Sequence, residues 1–597
     1  MDHPTSRRAF WLLAAAIMLA VLALVWLQTT RPRHPSPRAR TAALVRVLVV
    51  SSAHGIAQLG PRRGDAVPGD TAWIAAAAYA FYRERSFDPA WSDGLRPHPR
   101  AFQLIQALGG ARREGLDPDR YGHARLTAEV SGFRLSAHGP QDSPVERLAA
   151  LDLLLTRAFL RYGSDLHLGR VPRESLDADW EVTPVDLVAR LRHAVSRNRV
   201  LRNLEELIPP GPAYRGMREE LDHYRSLAQA GGWPRISSGV VLRRGSEGQR
   251  VRALRRRLAL AGDLAEADSS GPFDRRLAAA VAAFQNRHGL PASGVVDAVT
   301  LTALNVPASR RVRQIELNLE RLRWMHEPGG RFIVVNIPDY RLSVVSGDTL
   351  VMSMPVVVGK RTHPTPVMSD LVSYLELNPT WTVPRRILAQ EVLPALASDT
   401  SYLTTNRMRV LRTNREVPEL VDAATVDWTA LTADTFSFIV RQEAGPENPL
   451  GRIKFMCPNE YDVYLHDTPA RGHFGRALRT LSHGCVRVPQ AAELAEHLLR
   501  DTRWAGRDSL DAILASGTSR LLGLRTKIAV HLLYWTAWVD RDGAIQFRDD
   551  VYGLDQRLEA ALADGLGSEF RLNPEALWNP LVESPNRPAG ATPIAAR

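Results

Sequence analysis

The sequence predicts a multidomain α+β chain. It should hold an N-terminal membrane anchor, a helical domain, a small three-helix bundle, and a mainly antiparallel β domain with an inserted helical cap. Three observations carry this. Phe10–Leu27 is an apolar run without a charge. Apolar residues then recur at helical spacing to about residue 306. From about residue 331 the period changes to two.

The apolar run is long enough to cross a bilayer at about 1.5 Å per residue. Arg7 and Arg8 precede it, and Arg31, Arg33, Arg38 and Arg40 follow, so flanking charge favours neither orientation. Ser6-Arg7-Arg8-Ala9-Phe10 also looks like a twin-arginine export signal. No small-residue cleavage site follows closely. An uncleaved anchor over 10–28 with a cytoplasmic tip at 1–9 is therefore expected, and secretion after cleavage is the alternative. Either route places the body outside the cytoplasm.

Residues 29–65 read as a linker, since 29–40 are rich in Arg, Pro and Ser. A helical domain is expected over 66–235. Leu148, Leu151, Leu155, Ala158 and Phe159 form an apolar stripe there, and Tyr82, Phe87 and Trp91 are candidate core. A bundle follows over 238–306. Val251, Leu254 and Leu258 mark one helix, Leu277, Val281, Phe284 and His288 a second, and Val299–Leu304 begins a third.

The β domain is expected over 310–545. Its strands are Phe332–Ile337, Leu342–Val345, Leu350–Val358, Val372–Leu377, Phe436–Val440, Ile453–Cys457, Val463–His466 and Ile528–Thr536. No helix alternates regularly with them, which argues for antiparallel pairing. Ile387, Val392, Leu393 and Leu396 have helical spacing amid polar surroundings, so 385–448 reads as an inserted helical cap. Residues 546–597 form a C-terminal extension ending in a loose Pro/Ala/Asn-rich tail.

The net charge of +12 does not indicate a nucleic-acid partner. Only Lys360, Lys454 and Lys527 are lysines among 76 basic residues, and the arginines are scattered without interleaved aromatics. The chain has two cysteines, Cys457 and Cys485, which excludes a disulfide scaffold and a cysteine-based zinc site.

The chemistry concentrates at Tyr464-Leu465-His466-Asp467-Thr468 and Ser482-His483-Gly484-Cys485-Val486-Arg487. The first ends a strand and the second is a glycine turn. Successive N–H groups in such a turn can form an oxyanion hole. A free thiol is only about 3% ionised at pH 7, so Cys485 needs a base. His466 and His483 are both candidates. His483 lies two residues away and is poorly aimed in an extended turn, whereas His466 can approach from a neighbouring strand. Cys457 ends a strand without a histidine at suggestive spacing and reads as packing.

This pair of segments resembles the signature of the L,D-transpeptidase catalytic domain (YkuD type), with Asp467 where a glycine is common. That substitution is shared by the large multidomain, YcbB-like branch. Asn378–Pro384, Asn448–Phe455 and Tyr534–Asp540 followed by Phe547-Arg548 are similar to segments of that branch. Leu242–Gly248, Phe284–Leu290, Thr300-Leu301 and Leu304-Asn305 resemble a peptidoglycan-binding module. Phe81-Tyr82, Gly115–Pro118 and Gly169–Val171 resemble the branch's scaffold domain.

The resemblance implies a periplasmic enzyme, held to the inner membrane by residues 10–27, that needs no metal or cofactor. Cys485 would be the nucleophile and His466 the base and acid. Backbone near His483, Gly484 and Cys485 would form the oxyanion hole. Ser482 and Arg487 would brace the loop or meet substrate. Tyr464, Trp381 and Asn459 would line the cleft. Asp467 or a backbone carbonyl would orient His466. The implied reaction takes a tetrapeptide stem as donor and a stem amine as acceptor, giving a 3→3 cross-link. Alternatives on the same fold are an L,D-carboxypeptidase and an enzyme anchoring lipoproteins to the wall. A non-catalytic wall-binding scaffold is the remaining reading.

Overall fold

The computed structural model describes residues 35–52, 71–135, 144–179, 183–265, 270–325, 329–399, 401–412, 419–432 and 435–564. The proposed anchor and the C-terminal tail lie outside them. Among the described residues no helix is long and apolar enough to cross a membrane. The chain forms two compact units. One comprises residues up to 172, 182–210 and from 559, and the other 173–181 and 211–558.

The first unit is helical. Its central helix, Pro144–Leu168, is buried nearly all round, including every position of the predicted stripe. Such a helix must be wrapped by others, and Thr71–Glu84, Pro99–Gly109 and Leu187–Arg197 do so. The region read as linker contributes too. Pro37–Ser52 is a helix, because Thr41, Val45 and Val49 recur every fourth residue and bury against this core.

One polar cluster ties the unit together. The buried Asp152 carboxylate accepts from Tyr82 Oη at 2.6 Å, Ala90 N–H at 2.7 Å and Trp91 N–H at 2.8 Å. Asp152→Ala would strand the Ala90 and Trp91 N–H groups, at about 1–3 kcal/mol each before relaxation, while Tyr82 Oη keeps Asp152 O and Thr156 Oγ1. A loss of about 3–5 kcal/mol is expected from this unit's calorimetric transition. A shift under about 1 kcal/mol would refute the clamp.

In the second unit the three predicted bundle helices form at Gln249–Leu260, Arg275–Arg287 and Ala298–Leu304. Asp274 and Asp297 cap the last two, accepting from Leu277 and Thr300 N–H at 2.8 Å. Pro212–Gln229 falls in the helical domain expected from the sequence. It packs instead on a helix of this unit, Ala308–Trp324, through Arg225–Glu316 and an Arg323–Tyr214 hydrogen bond.

The strands in chain order are β1 (Ala178–Asp179), β2 (Arg331–Asn336), β3 (Arg341–Ser346), β4 (Thr349–Pro355), β5 (Val358–Gly359), β6 (Val367–Leu377), β7 (Trp381–Thr382) and β8 (Met408–Arg412). After these come β9 (Glu419–Val421), β10 (Phe438–Gln442), β11 (Ile453–Met456), β12 (Leu465–His466), β13 (Thr480–Ser482), β14 (Val486–Arg487) and β15 (Arg520–Leu533). The main sheet runs β14-β12-β11-β6-β15-β2-β3-β4, with β1 beside β6. It is mainly antiparallel as predicted, but β12–β14, β2–β15 and β1–β6 are parallel.

The cap is not simply helical. Short helical turns between 385 and 405 pack on a four-stranded sheet, β7-β10-β8-β9, around its own core of Leu388, Val392, Leu396, Val410 and Val440. The strand predicted near 436–440 belongs here rather than to the main sheet. β7 pairs with β10, so the two ends of the insertion meet at one neck. The extension read from 546 onward also needs correcting. Phe547 is buried, Ile545–Phe547 pairs with Ala537–Val539, and Asp555 binds Arg321, all within the second unit.

Candidate active site

Alternation along β12 and β14 sets the site. Leu465 and Val486 point into the core of the β domain, so His466 and Arg487 lie on the opposite face, with Tyr464 and Cys485 immediately before the two strands. The register extends this as one row across four strands. Glu376 on β6 opposes Lys454 on β11, Lys454 opposes His466, and His466 opposes Arg487.

Gly484 has φ +123°, a conformation that strongly favours glycine. Its turn is pinned on every side. Ser482 Oγ donates to Cys485 O at 2.6 Å and accepts from Gly484 N–H at 3.2 Å. Thr365 Oγ1 donates to Gly484 O at 2.6 Å. Lys360 N–H donates to Ser482 O at 2.9 Å. Ser482 therefore braces the loop, and the Gly484 N–H predicted for an oxyanion hole is already engaged. Among the described residues, the N–H groups of His483 and Cys485 donate to no protein atom.

Cys485 is half-buried, with Sγ 3.7 Å from Asp462 O. Burial pushes its thiol up, while Tyr464, Lys454 and Arg487 pull it down. Lys454 Nζ lies 3.8 Å from the Tyr464 ring centroid. Arg487 stands beside the thiol, and its buried Nε donates to no protein atom.

His466 is buried, and its Nδ1 lies 2.5 Å from Asp467 O. That carbonyl accepts, so the proton sits on Nδ1 and Nε2 keeps its lone pair. Burial, then Arg487 and Lys454, push its pKa down to about 3. The imidazole is thus neutral across the physiological range. Of the two orienters the sequence allowed, the backbone carbonyl is the one used. The Asp467 carboxylate turns the other way, accepting from Arg452 N–H at 2.9 Å and from Arg471.

Gly451 lies against that carboxylate with φ +60°, and a Cβ there would collide with it. Gly451→Ala should cost about 1–3 kcal/mol. By displacing Asp467 it should also slow acylation of Cys485 about 10-fold, read by intact mass. An unchanged rate in a folded variant would rule out the coupling.

The structure shows the partners of two further predicted residues. Asn459 spends its polar atoms inside its own loop, donating to Cys457 O and Val463 O and accepting from Tyr461 N–H. Trp381 packs against the cap core. His483 Nε2 meets Lys360 and Glu391. Lys360, Lys454 and Glu391 were not anticipated. The scarcity of lysine was the available signal, because two of the three lysines stand at this site.

Three family models match the chain. They are a scaffold domain at 76–221, a peptidoglycan binding domain at 247–304 and an L,D-transpeptidase catalytic domain at 330–507. Residues 330–507 match the YkuD model of the L,D-transpeptidase catalytic domain. A curated L,D-transpeptidase homologue of Haemophilus influenzae is 35% identical over 259 residues, or 43% of this chain. The chain spans about half the length of that relative, 51%.

Similar solved structures include an L,D-transpeptidase of Mycobacterium smegmatis and one of Stackebrandtia nassauensis. The first is 12% identical, with 35% of this chain and 60% of that chain covered and a TM-score of 0.17. The second is 14% identical, with 50% and 96% covered and a TM-score of 0.20.

Proposed function

We propose that this L,D-transpeptidase domain forms 3→3 peptidoglycan cross-links through a thioester on Cys485. What supports the reading is one arrangement. His466 ends β12 and Cys485 immediately precedes its neighbour β14, with His466 held as the Nδ1–H tautomer.

In the first step Sγ attacks the carbonyl carbon of the third stem residue, a diaminoacyl residue, and His466 Nε2 takes the thiol proton. The oxyanion is received by the N–H groups of Cys485 and His483. The bond to the terminal D-alanine breaks, and His466 returns the proton to the leaving amine. In the second step the side-chain amine of another stem attacks the thioester. His466 takes its proton, the C–S bond breaks, and the sulfur is reprotonated. Thiol and imidazole are both held neutral at rest by burial, so the proton moves as the bond forms rather than from a stored ion pair.

The peptidoglycan-binding bundle would hold the glycan near this site, placing the enzyme at the cell wall or in the periplasm. The run Phe10–Leu27 would tether it to the inner membrane. Recovery of the full chain in the soluble fraction would exclude the tether.

Purified protein incubated with tetrapeptide muropeptides and analysed by mass spectrometry tests the reaction. 3→3 dimers are expected. Tripeptides alone would indicate a carboxypeptidase, protein-linked stems an anchoring enzyme, and no product a scaffold. The cap, joined at one neck, is expected to exclude water and so favour aminolysis. Excising 385–440 should raise the ratio of tripeptide to dimer about 10-fold. An unchanged ratio would remove the cap from the mechanism.

A further inference from the structure

His483, two residues before Cys485, is the centre of a second cluster. Its Nε2 lies 3.1 Å from Lys360 Nζ and 3.0 Å from Glu391 Oε1. One nitrogen cannot serve both partners at once. Protonated, it donates to Glu391; unprotonated, it accepts from Lys360. The His363 ring packs against His483 with centroids 5.1 Å apart. His363 is 9% exposed; its Nδ1 bonds Thr362 Oγ1 at 2.9 Å, and its buried Nε2 has no partner. Burial, then the charges of Arg386 and Lys360, push the His363 pKa down. A carboxylate meets this cluster at His483.

That carboxylate comes from the cap, where Glu391 sits on the π-turn Leu388–Val392. Turns of this kind recur at functional sites. The Glu391 side chain is 52% exposed, so its pairing adds little stability. It is thus readily displaced. Lys360 and the unpartnered His363 nitrogen are then available to a better-placed anion.

We propose that Lys360, His483 and His363 form a carboxylate-binding subsite for the stem peptide beside Cys485, and that Glu391 is the cap's own carboxylate occupying it until the donor arrives. This rests on the transpeptidase reading. Two carboxylates of the donor share the chemistry: that of the terminal D-alanine and one further up the stem.

The test is calorimetric binding of a disaccharide-tetrapeptide to the full chain carrying Cys485→Ala, so it does not depend on turnover. Wild-type acylation, measured separately, reports on the transpeptidase reading alone. Adding Lys360→Met should weaken binding about 10- to 100-fold, as for a lost charged hydrogen bond. Adding Glu391→Gln should tighten it about 2- to 5-fold. The two changes together should bind as weakly as Lys360→Met alone. Amidating one of the two donor carboxylates should abolish the Lys360→Met effect, and which one identifies the carboxylate bound. Equal tightening by Glu391→Gln with and without Lys360 would mean only a looser cap and overturn the proposal. So would an undiminished Lys360→Met effect on both amidated donors.

Discussion

Cys485→Ala is expected to eliminate 3→3 cross-links, lowering kcat by on the order of 10⁴-fold or more. The second cysteine cannot take over. Cys457 is 4% exposed and bonds Val463 O at 3.4 Å, and burial pushes its thiol up to about 12. Its thiolate is too scarce and too enclosed to attack a peptide carbonyl. The change removes one half-buried sulfur and leaves the turn's bracing through Ser482 and Thr365 intact. The variant should therefore still fold and still bind glycan through 247–304. Muropeptide analysis beside the wild type reads the effect. Cross-links at more than a few per cent of the wild-type rate would displace Cys485 from the mechanism.

The site is legible in the sequence because its residues cluster in two short segments flanking a recognisable turn. The strand period around Leu465 and Val486 also puts His466 and Arg487 on one face. What stays hidden depends on three-dimensional pairing. The helix Ala308–Trp324 is hard to see because its buried residues include Arg311, Glu320, Arg321 and Arg323, which spoil an apolar stripe. They are tolerable inside because they find partners, Arg321 with Asp555 and Arg323 with Glu320 and Tyr214. Pro37–Ser52 is masked by its arginines and by the proline-rich stretch before it. The cap strands resemble polar filler because each is short. Lys360 and Glu391 are far from Cys485 in sequence, and only the fold brings them to His483.

His466→Gln is the second large effect, an expected loss of about 10²- to 10⁴-fold in kcat. Its pH dependence separates catalysis from positioning. In the wild type the imidazole is neutral above about pH 3, so the base is competent throughout the physiological range. The acylation rate should be nearly flat there, without an inflection near the ordinary histidine value of about 6.5. In His466→Gln only pre-formed thiolate can attack, and burial holds the thiol above its usual value. Its rate should rise about 10-fold per pH unit. A stability effect accompanies this. The unfolded histidine takes a proton near pH 6.5 and the folded one near 3, so the unfolded state binds more protons between them. This contribution is fully present above about pH 6.5 and declines as pH falls toward 3, by about 1.4 kcal/mol for each pH unit. His466→Gln should flatten that decline in acid denaturation of the second unit. Parallel pH–rate profiles for variant and wild type would show that His466 only positions the strand, and the proton would then have to leave Cys485 by another route.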